Sequence, residues 1–171
     1  MRYVLLFIML ATASSISKSK SIPGNFKKIE KPTFTNWSIN DKPKAEWTDV
    51  DWMAKMLMSE TPDSTDTEGL RLMAITAAVH AEMAGSSIKE AILRPGAFSG
   101  VNKERYIWWR AEPTSIHKQI AIDMVYNGIK KGEPRVYAFC NMSLVSPKTR
   151  AWFNRLKFHK KIQDVTFFLL P

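Results

Sequence analysis

The apolar positions of residues 46–84 repeat at the spacing of helices. Thr48 and Asp51 are placed to form a capping box, and the pattern behind them predicts a helix that runs to about Glu60. Residues 70–84 are apolar on almost every side, which predicts a helix buried in the middle of a domain, and Gly85 is placed to end it. The apolar face of the first of these helices consists of Val50, Met53, Ala54, Met56 and Leu57.

Two further helices are predicted in the middle of the chain. Ser87 and Glu90 form a second capping box, which opens a short helix that Pro95 breaks. Apolar residues then recur at helical spacing through residues 114–129, and Gly132 follows as a stop signal.

The periodicity changes near the C-terminus. Residues 136–140 and 165–170 are β-branched and aromatic runs, which is typical of strands. Between them, Ser146 and Pro147 mark the start of a short helix. The sequence therefore predicts an α+β fold that is mainly helical, with a buried central helix and a small antiparallel sheet near the C-terminus.

The N-terminal part reads as a signal and a linker. Residues 1–13 combine Arg2, a short apolar run and an Ala-Thr-Ala end, the pattern of a secretory signal peptide. The run is shorter than the roughly 20 residues that cross a bilayer, so we expect no stable membrane span. Residues 14–45 are rich in lysine and proline and have no lasting periodicity, which predicts a basic linker before a domain at 46–171. The side chains of this linker that could dock on the domain are Phe26, Phe34 and Trp37.

Composition narrows the classes of function. The 25 basic and 16 acidic residues give a net charge of +9, which favours a polyanionic partner such as nucleic acid, an anionic membrane or an acidic wall polymer. The secretory pattern argues against nucleic acid and for a secreted or periplasmic protein. Cys140 is the single cysteine and excludes an internal disulfide. The three histidines are scattered, and we expect neither a metal site nor a cofactor.

Glu60 is the candidate general acid. It falls beside Met53 and Met56 on the apolar face and at the C-terminus of its helix, and both burial and the helix dipole raise the pKa of a carboxyl there. A raised pKa suits a general acid near neutral pH. The same pattern also allows Glu60 to turn to water where the helix ends. Glu82 is the rival acid, although we expect it to be exposed, and His80 is expected to be a hydrogen-bonded core or boundary histidine.

Aromatic residues cluster around the predicted break after the third helix. Phe98, Trp108 and Trp109 lie near Arg105 and Arg110, a combination that can stack on sugar rings or bases. Each of them could equally belong to the core.

The order of these features resembles the SleB-type cell wall hydrolases, the family of spore-cortex-lytic and related peptidoglycan-cleaving enzymes. The resemblance covers about residues 50–170 and begins with the helix that ends in Glu60, the polar loop that ends in Glu68-Gly69, and the alanine-rich helix behind it. The other matching features are Arg94-Pro95-Gly96-Ala97-Phe98, Trp108 and Trp109, the helix of residues 116–129, Phe139-Cys140-Asn141, Trp152, and His159 before Phe167 and Phe168.

The resemblance implies a lysozyme-like domain that cuts peptidoglycan between N-acetylmuramic acid and N-acetylglucosamine as a lytic transglycosylase. Glu60 matches the family's glutamate and would act first as acid and then as base. Peptidoglycan is the implied partner, and anionic wall polymers are a second one. A bacterium and a phage that lyses its host are both compatible sources. The substrate-binding residues that the resemblance implies are Phe98, Trp108, Trp109, Asn141 and His159.

The sequence also allows a second function, without catalysis. The chain has Ala81-Glu82 where the family has Asn-Arg, and its loop after Glu60 is one residue longer than in the family and lacks the family's glycines. These differences motivate a secreted, inactive peptidoglycan-binding or structural protein on the same scaffold. A zinc amidase is disfavoured, because the sequence has no His/Glu cluster with the spacing of zinc ligands.

Overall fold

The computed structural model describes residues 37–61, 66–98 and 111–171. Within these ranges, the α+β class and the small antiparallel sheet near the C-terminus are confirmed. The helices are α1 (Asp49–Glu60), α2 (Thr67–Ala84), α3 (Ile88–Leu93), α4 (Ser115–Asn127) and α5 (Pro147–Phe153), and the strands are β1 (Val136–Cys140), β2 (Lys157–Ile162) and β3 (Val165–Leu169).

Local side chains start α1 and α3 and end α2 where the sequence predicts, whereas α4 ends at Gly128 and not at the predicted stop, Gly132. Thr48 and Asp51 form a complete capping box on α1, and Ser87 and Glu90 form another on α3. Gly85 ends α2 with a φ of 59°, a left-handed conformation that glycine adopts without the steric penalty of a Cβ. The boundaries of these elements therefore follow from hydrogen bonds within each segment.

Helix α2 is the buried central helix. It packs against α1, α3, α4 and β1, and a continuous row of its side chains from Leu72 to Val79 is buried. The alanines of this row let neighbouring elements approach closely. The core formed around α2 includes Met53, Met56 and Leu57 of α1 and Met124 of α4.

The sheet joins two apolar clusters. Strand β3 lies between β1 and β2 and is antiparallel to both. On one face Phe167 belongs to the main core, and on the other Phe168 packs against Phe153 of α5 at a ring-centroid distance of 5.0 Å. Because both faces of β3 are covered, its residues are apolar with the exception of Thr166. The pattern of hydrophobic positions did not predict β2, which is an outer strand and carries three lysines.

The last residues of the predicted linker contact the domain. Ile39 is fully buried, and the indole of Trp37 donates a 2.8 Å hydrogen bond to Asp51 of α1. The end of the predicted linker therefore packs on the domain, because its apolar side chains find a surface on α1. The predicted signal at 1–13 and the linker up to residue 36 lie outside the described residues. Among the helices that the structure describes, none has the length and apolar character needed to cross a membrane.

Candidate functional site

Glu60 is the last residue of α1 and is half-buried. The turn that leads to it is firmly packed, since Met56 and Leu57 have no exposed surface. Thr61 ends the helix, and both its backbone N–H and its hydroxyl donate to the carbonyl of Leu57, at 3.0 and 3.1 Å. The carboxyl of Glu60 thus lies at the boundary between the core and solvent, on a helix end that cannot easily fray.

His117 of α4 fixes the same helix end from the other side. Its ring is fully buried, with Nε2 3.3 Å from the carbonyl of Thr61 and Nδ1 2.7 Å from the hydroxyl of Thr114. Burial lowers the pKa of His117 below its usual value, which favours the neutral ring. In the tautomer that satisfies both contacts, Nε2–H donates to Thr61 and Nδ1 accepts from Thr114.

Thr114 is used in an unusual way for its position. It is the N-cap residue of α4, yet its hydroxyl makes no capping hydrogen bond to that helix. An N-cap hydroxyl usually stabilises a helix by about 1 kcal/mol. Here the hydroxyl bonds His117 instead, so the start of α4 is tied to the end of α1.

A shallow pocket lies close to this helix end. Met73 of α2 lines this pocket, and its sulfur lies 3.8 Å from the hydroxyl oxygen of Thr61. Apolar side chains of the β2–β3 hairpin, including Ile162 and Phe167, also line the pocket, together with Asp66 at the start of α2. Helix α2 therefore contributes both to this pocket and to a contact with the residue that ends α1.

Phe98, one of the predicted substrate-binding residues, lies in the core. The ring is only 2% exposed and packs between His80 and Phe139, at centroid distances of 6.0 and 6.1 Å. The ring is therefore part of the core in this structure, and a contact of Phe98 with substrate stays a prediction. Of the two alternatives that the sequence left open, Phe98 takes the core position.

Asn141 and His159 lie at opposite edges of the sheet, next to β1 and on β2. Asn141 follows β1, and its side-chain oxygen accepts from the N–H and the hydroxyl of Ser143, at 3.0 and 2.6 Å, which makes it a turn residue. His159 is half-buried in β2, at an irregularity between Phe158 and Lys160. With β3 between them, β1 and β2 are about 10 Å apart, so the structure does not bring the two side chains together. Trp108 and Trp109 lie outside the described residues.

The remaining acid and base candidates have structural partners. Glu82 is exposed and pairs with Arg135, as expected for a residue at a helix end. His80 is 2.8 Å from the carbonyl of Tyr137 through Nε2, and burial lowers the pKa of His80 below its usual value. The prediction that His80 is a hydrogen-bonded boundary histidine is confirmed. In the described ranges, His, Cys, Asp and Glu side chains form no group of three that could hold a metal ion.

Sequence reasoning missed a buried polar network on α1. Lys55 is 1% exposed, hydrogen-bonds the side chain of Asn40 and donates to the carbonyl of Ala111 at 2.8 Å. Burial lowers the pKa of Lys55, while the nearby carboxylate of Glu112 opposes that shift. Glu112 in turn accepts from the N–H of Ile39 at 3.0 Å. The only signal in the sequence was a lysine one helical turn after Asp51 on a mostly apolar helix.

Comparison of the chain with protein-family models, with curated proteins and with solved structures finds no match.

Proposed function

We propose that the protein cleaves the glycan strands of peptidoglycan between N-acetylmuramic acid and N-acetylglucosamine, with Glu60 as general acid and base. The observation that carries this proposal is the placement of Glu60: half-buried, at the end of a core helix whose last turn is held by Thr61 and His117. A general acid has to reach the substrate while its position stays fixed. The resemblance to SleB-type hydrolases supports the same residue and a lysozyme-like arrangement of the domain.

One carboxyl is sufficient for the proposed reaction. Glu60 gives its proton to the glycosidic oxygen as the bond from C1 to that oxygen breaks. The resulting carboxylate takes the proton of the muramyl 6-hydroxyl, whose oxygen bonds to C1 and closes a 1,6-anhydro ring. The substrate's own N-acetyl group stabilises the oxocarbenium-like centre, so this reaction differs from the usual glycosidase with two carboxylates.

The test is muropeptide analysis with the purified full chain and its Glu60→Gln variant. Glutamine keeps the shape of the side chain but cannot deliver and recover a proton, so the yield of anhydro-muropeptides should fall roughly 10²–10⁴-fold at an unchanged melting temperature. Glu82→Gln is the matched control and should keep most of the activity, because Glu82 pairs with Arg135 on the surface. Near-wild-type cleavage by Glu60→Gln would refute the assignment. Reducing ends without anhydro products would indicate a hydrolysing muramidase instead.

The second candidate function is a secreted or periplasmic protein that binds peptidoglycan without cutting it. Two observations favour it: the ring of Phe98 is buried, and Asn141 serves a turn. Two of the residues expected to hold substrate are thus occupied in structural roles. A binder would sediment with purified cell walls and leave no cleared zone in a wall-containing gel, whereas an enzyme would sediment with the walls and also clear a zone in the gel.

A further inference from the structure

The charges of this protein are segregated along the fold. Residues 134–171, which form the sheet and α5, contain seven Lys and Arg residues and one acidic residue, Asp164. Residues 37–133, which include α1 to α4, contain twelve basic and fourteen acidic residues. The excess positive charge of the folded part is therefore confined to its C-terminal region.

Some of these cations already have partners. Lys160 lies 2.7 and 2.8 Å from the two carboxylate oxygens of Glu68 on α2, and Arg150 donates to the carbonyl of Met142 at 2.9 Å. Arg155, Lys157 and Lys161 are exposed, and none of them is paired with a carboxylate among the described residues. These three side chains are positioned before and along β2, which is one of the two outer strands of the sheet.

An aromatic ring lies among the unpaired cations. Phe158 is 61% exposed, although its register partner in β3, Phe168, is buried against α5. Lysines on an outer strand are a common protection against pairing with another sheet. An exposed phenylalanine on the same strand favours association with other apolar surfaces. Protection against aggregation therefore explains the lysines but does not explain why Phe158 is exposed.

We infer that Arg155, Lys157, Phe158 and Lys161, here called the β2 edge, form a docking surface for a linear anionic glycan. The cations take the negative groups of the polymer, and the ring packs against the apolar C–H face of a sugar. The register partners of Lys157 and Lys161 are three residues apart on β3, so the two lysines are about 10 Å apart along the strand and the surface spans more than one sugar unit. A second copy of this chain fits poorly, because it would bring the same unpaired cations to the contact. This inference does not depend on cleavage by Glu60.

The test measures binding of the full chain to polygalacturonate, a linear anionic glycan, with neutral dextran and oligodeoxythymidine as comparison ligands. The double variant Lys157→Gln/Lys161→Gln should bind polygalacturonate about tenfold more weakly at low salt, and the difference should shrink as salt screens the charges. Phe158→Ala should weaken binding at least about threefold without changing the salt dependence. The matched control Lys131→Gln removes an exposed lysine from the turn before β1 and should change binding by less than about twofold.

All these side chains are exposed, so their replacement should leave the fold intact, and an unchanged melting temperature checks this. A change in binding then reports on the β2 edge itself. The cations of the N-terminal segment are common to every variant and cancel in the comparison. Wild-type binding by the double lysine variant, or an equal loss in Lys131→Gln, would overturn the inference. So would a Phe158→Ala variant with unchanged affinity, or a preference for oligodeoxythymidine, which would identify a nucleic-acid surface. Peptidoglycan cleavage is not measured here, so a failure of the β2 edge is distinguishable from a failure of Glu60.

Discussion

Asp51 is the side chain that holds residues 37–42 on helix α1, and its loss should lower the free energy of unfolding. It has no exposed surface, and four donors converge on its carboxylate. The indole N–H of Trp37 and the N–H and hydroxyl of Thr48 each lie 2.8 Å from it, and Nζ of Lys42 lies 3.2 Å from it. The variant Asp51→Asn keeps the shape but replaces one acceptor oxygen by an NH₂ group that faces donors.

The size of the effect follows from these contacts. An asparagine oxygen can serve two of the four donors, so at least two charge-assisted hydrogen bonds are lost, and such bonds contribute about 1.5–3 kcal/mol each. Partial relaxation of Lys42 toward solvent offsets part of this loss, because its side chain is already 35% exposed. We therefore expect the free energy of unfolding to fall by about 3 kcal/mol. For a folded unit of about 130 residues this corresponds to a melting temperature lower by about 10 °C.

The assay is urea unfolding followed by tryptophan fluorescence, with Asp41→Asn as the matched control. Asp41 is exposed, so its variant removes the same charge and should change the unfolding free energy by less than about 0.5 kcal/mol. Trp37→Phe, alone and combined with Asp51→Asn, isolates the 2.8 Å hydrogen bond, since the two losses should not add. If Asp51→Asn loses no more stability than Asp41→Asn, the packing of residues 37–42 on α1 is not held by this carboxylate.

Two further expectations concern the histidines and the core. Burial lowers the pKa values of His80 and His117, so in acid the unfolded chain binds protons more readily than the folded chain. The stability should therefore be complete above about pH 6.5 and fall as the pH drops toward 5. A melting temperature that does not change over this pH range would contradict the burial of both rings. Phe98→Ala should cost about 3–5 kcal/mol in urea unfolding because the ring is in the core, whereas Phe158→Ala should cost less than about 0.5 kcal/mol, and equal losses would refute the core assignment of Phe98.

Much of the secondary structure could be predicted because its determinants are local. Capping boxes act over four residues, and a helix or strand that buries one face repeats its apolar residues at the period of its own geometry. The helix that ends at Glu60, the apolar helix α2 and the strand β3 therefore follow from the sequence. The prediction of the catalytic role of Glu60 came from the same local reasoning and from the resemblance, and it stays a prediction.

Strand β2 and residues 37–42 became visible only in the tertiary structure. The sequence of β2, Lys-Phe-His-Lys-Lys-Ile, has no apolar alternation, because an outer strand needs only one hydrogen-bonded neighbour and little burial. Residues 37–42 have no period of their own, and their order comes from contacts with Asp51 and Glu112.

The positions and contacts of individual polar and aromatic side chains also depend on partners that lie far away in the sequence. His117 is held by Thr61, which lies 56 positions earlier, and Lys55 is held by the carbonyl of Ala111, 56 positions later. A burial pattern read along one segment reports which face of an element is covered, but it does not report what covers it. That is why the sequence determined where the helices and the central strand lie, whereas the three-dimensional packing decided that Phe98 is in the core, that Asn141 closes a turn and that the unpaired cations collect along β2.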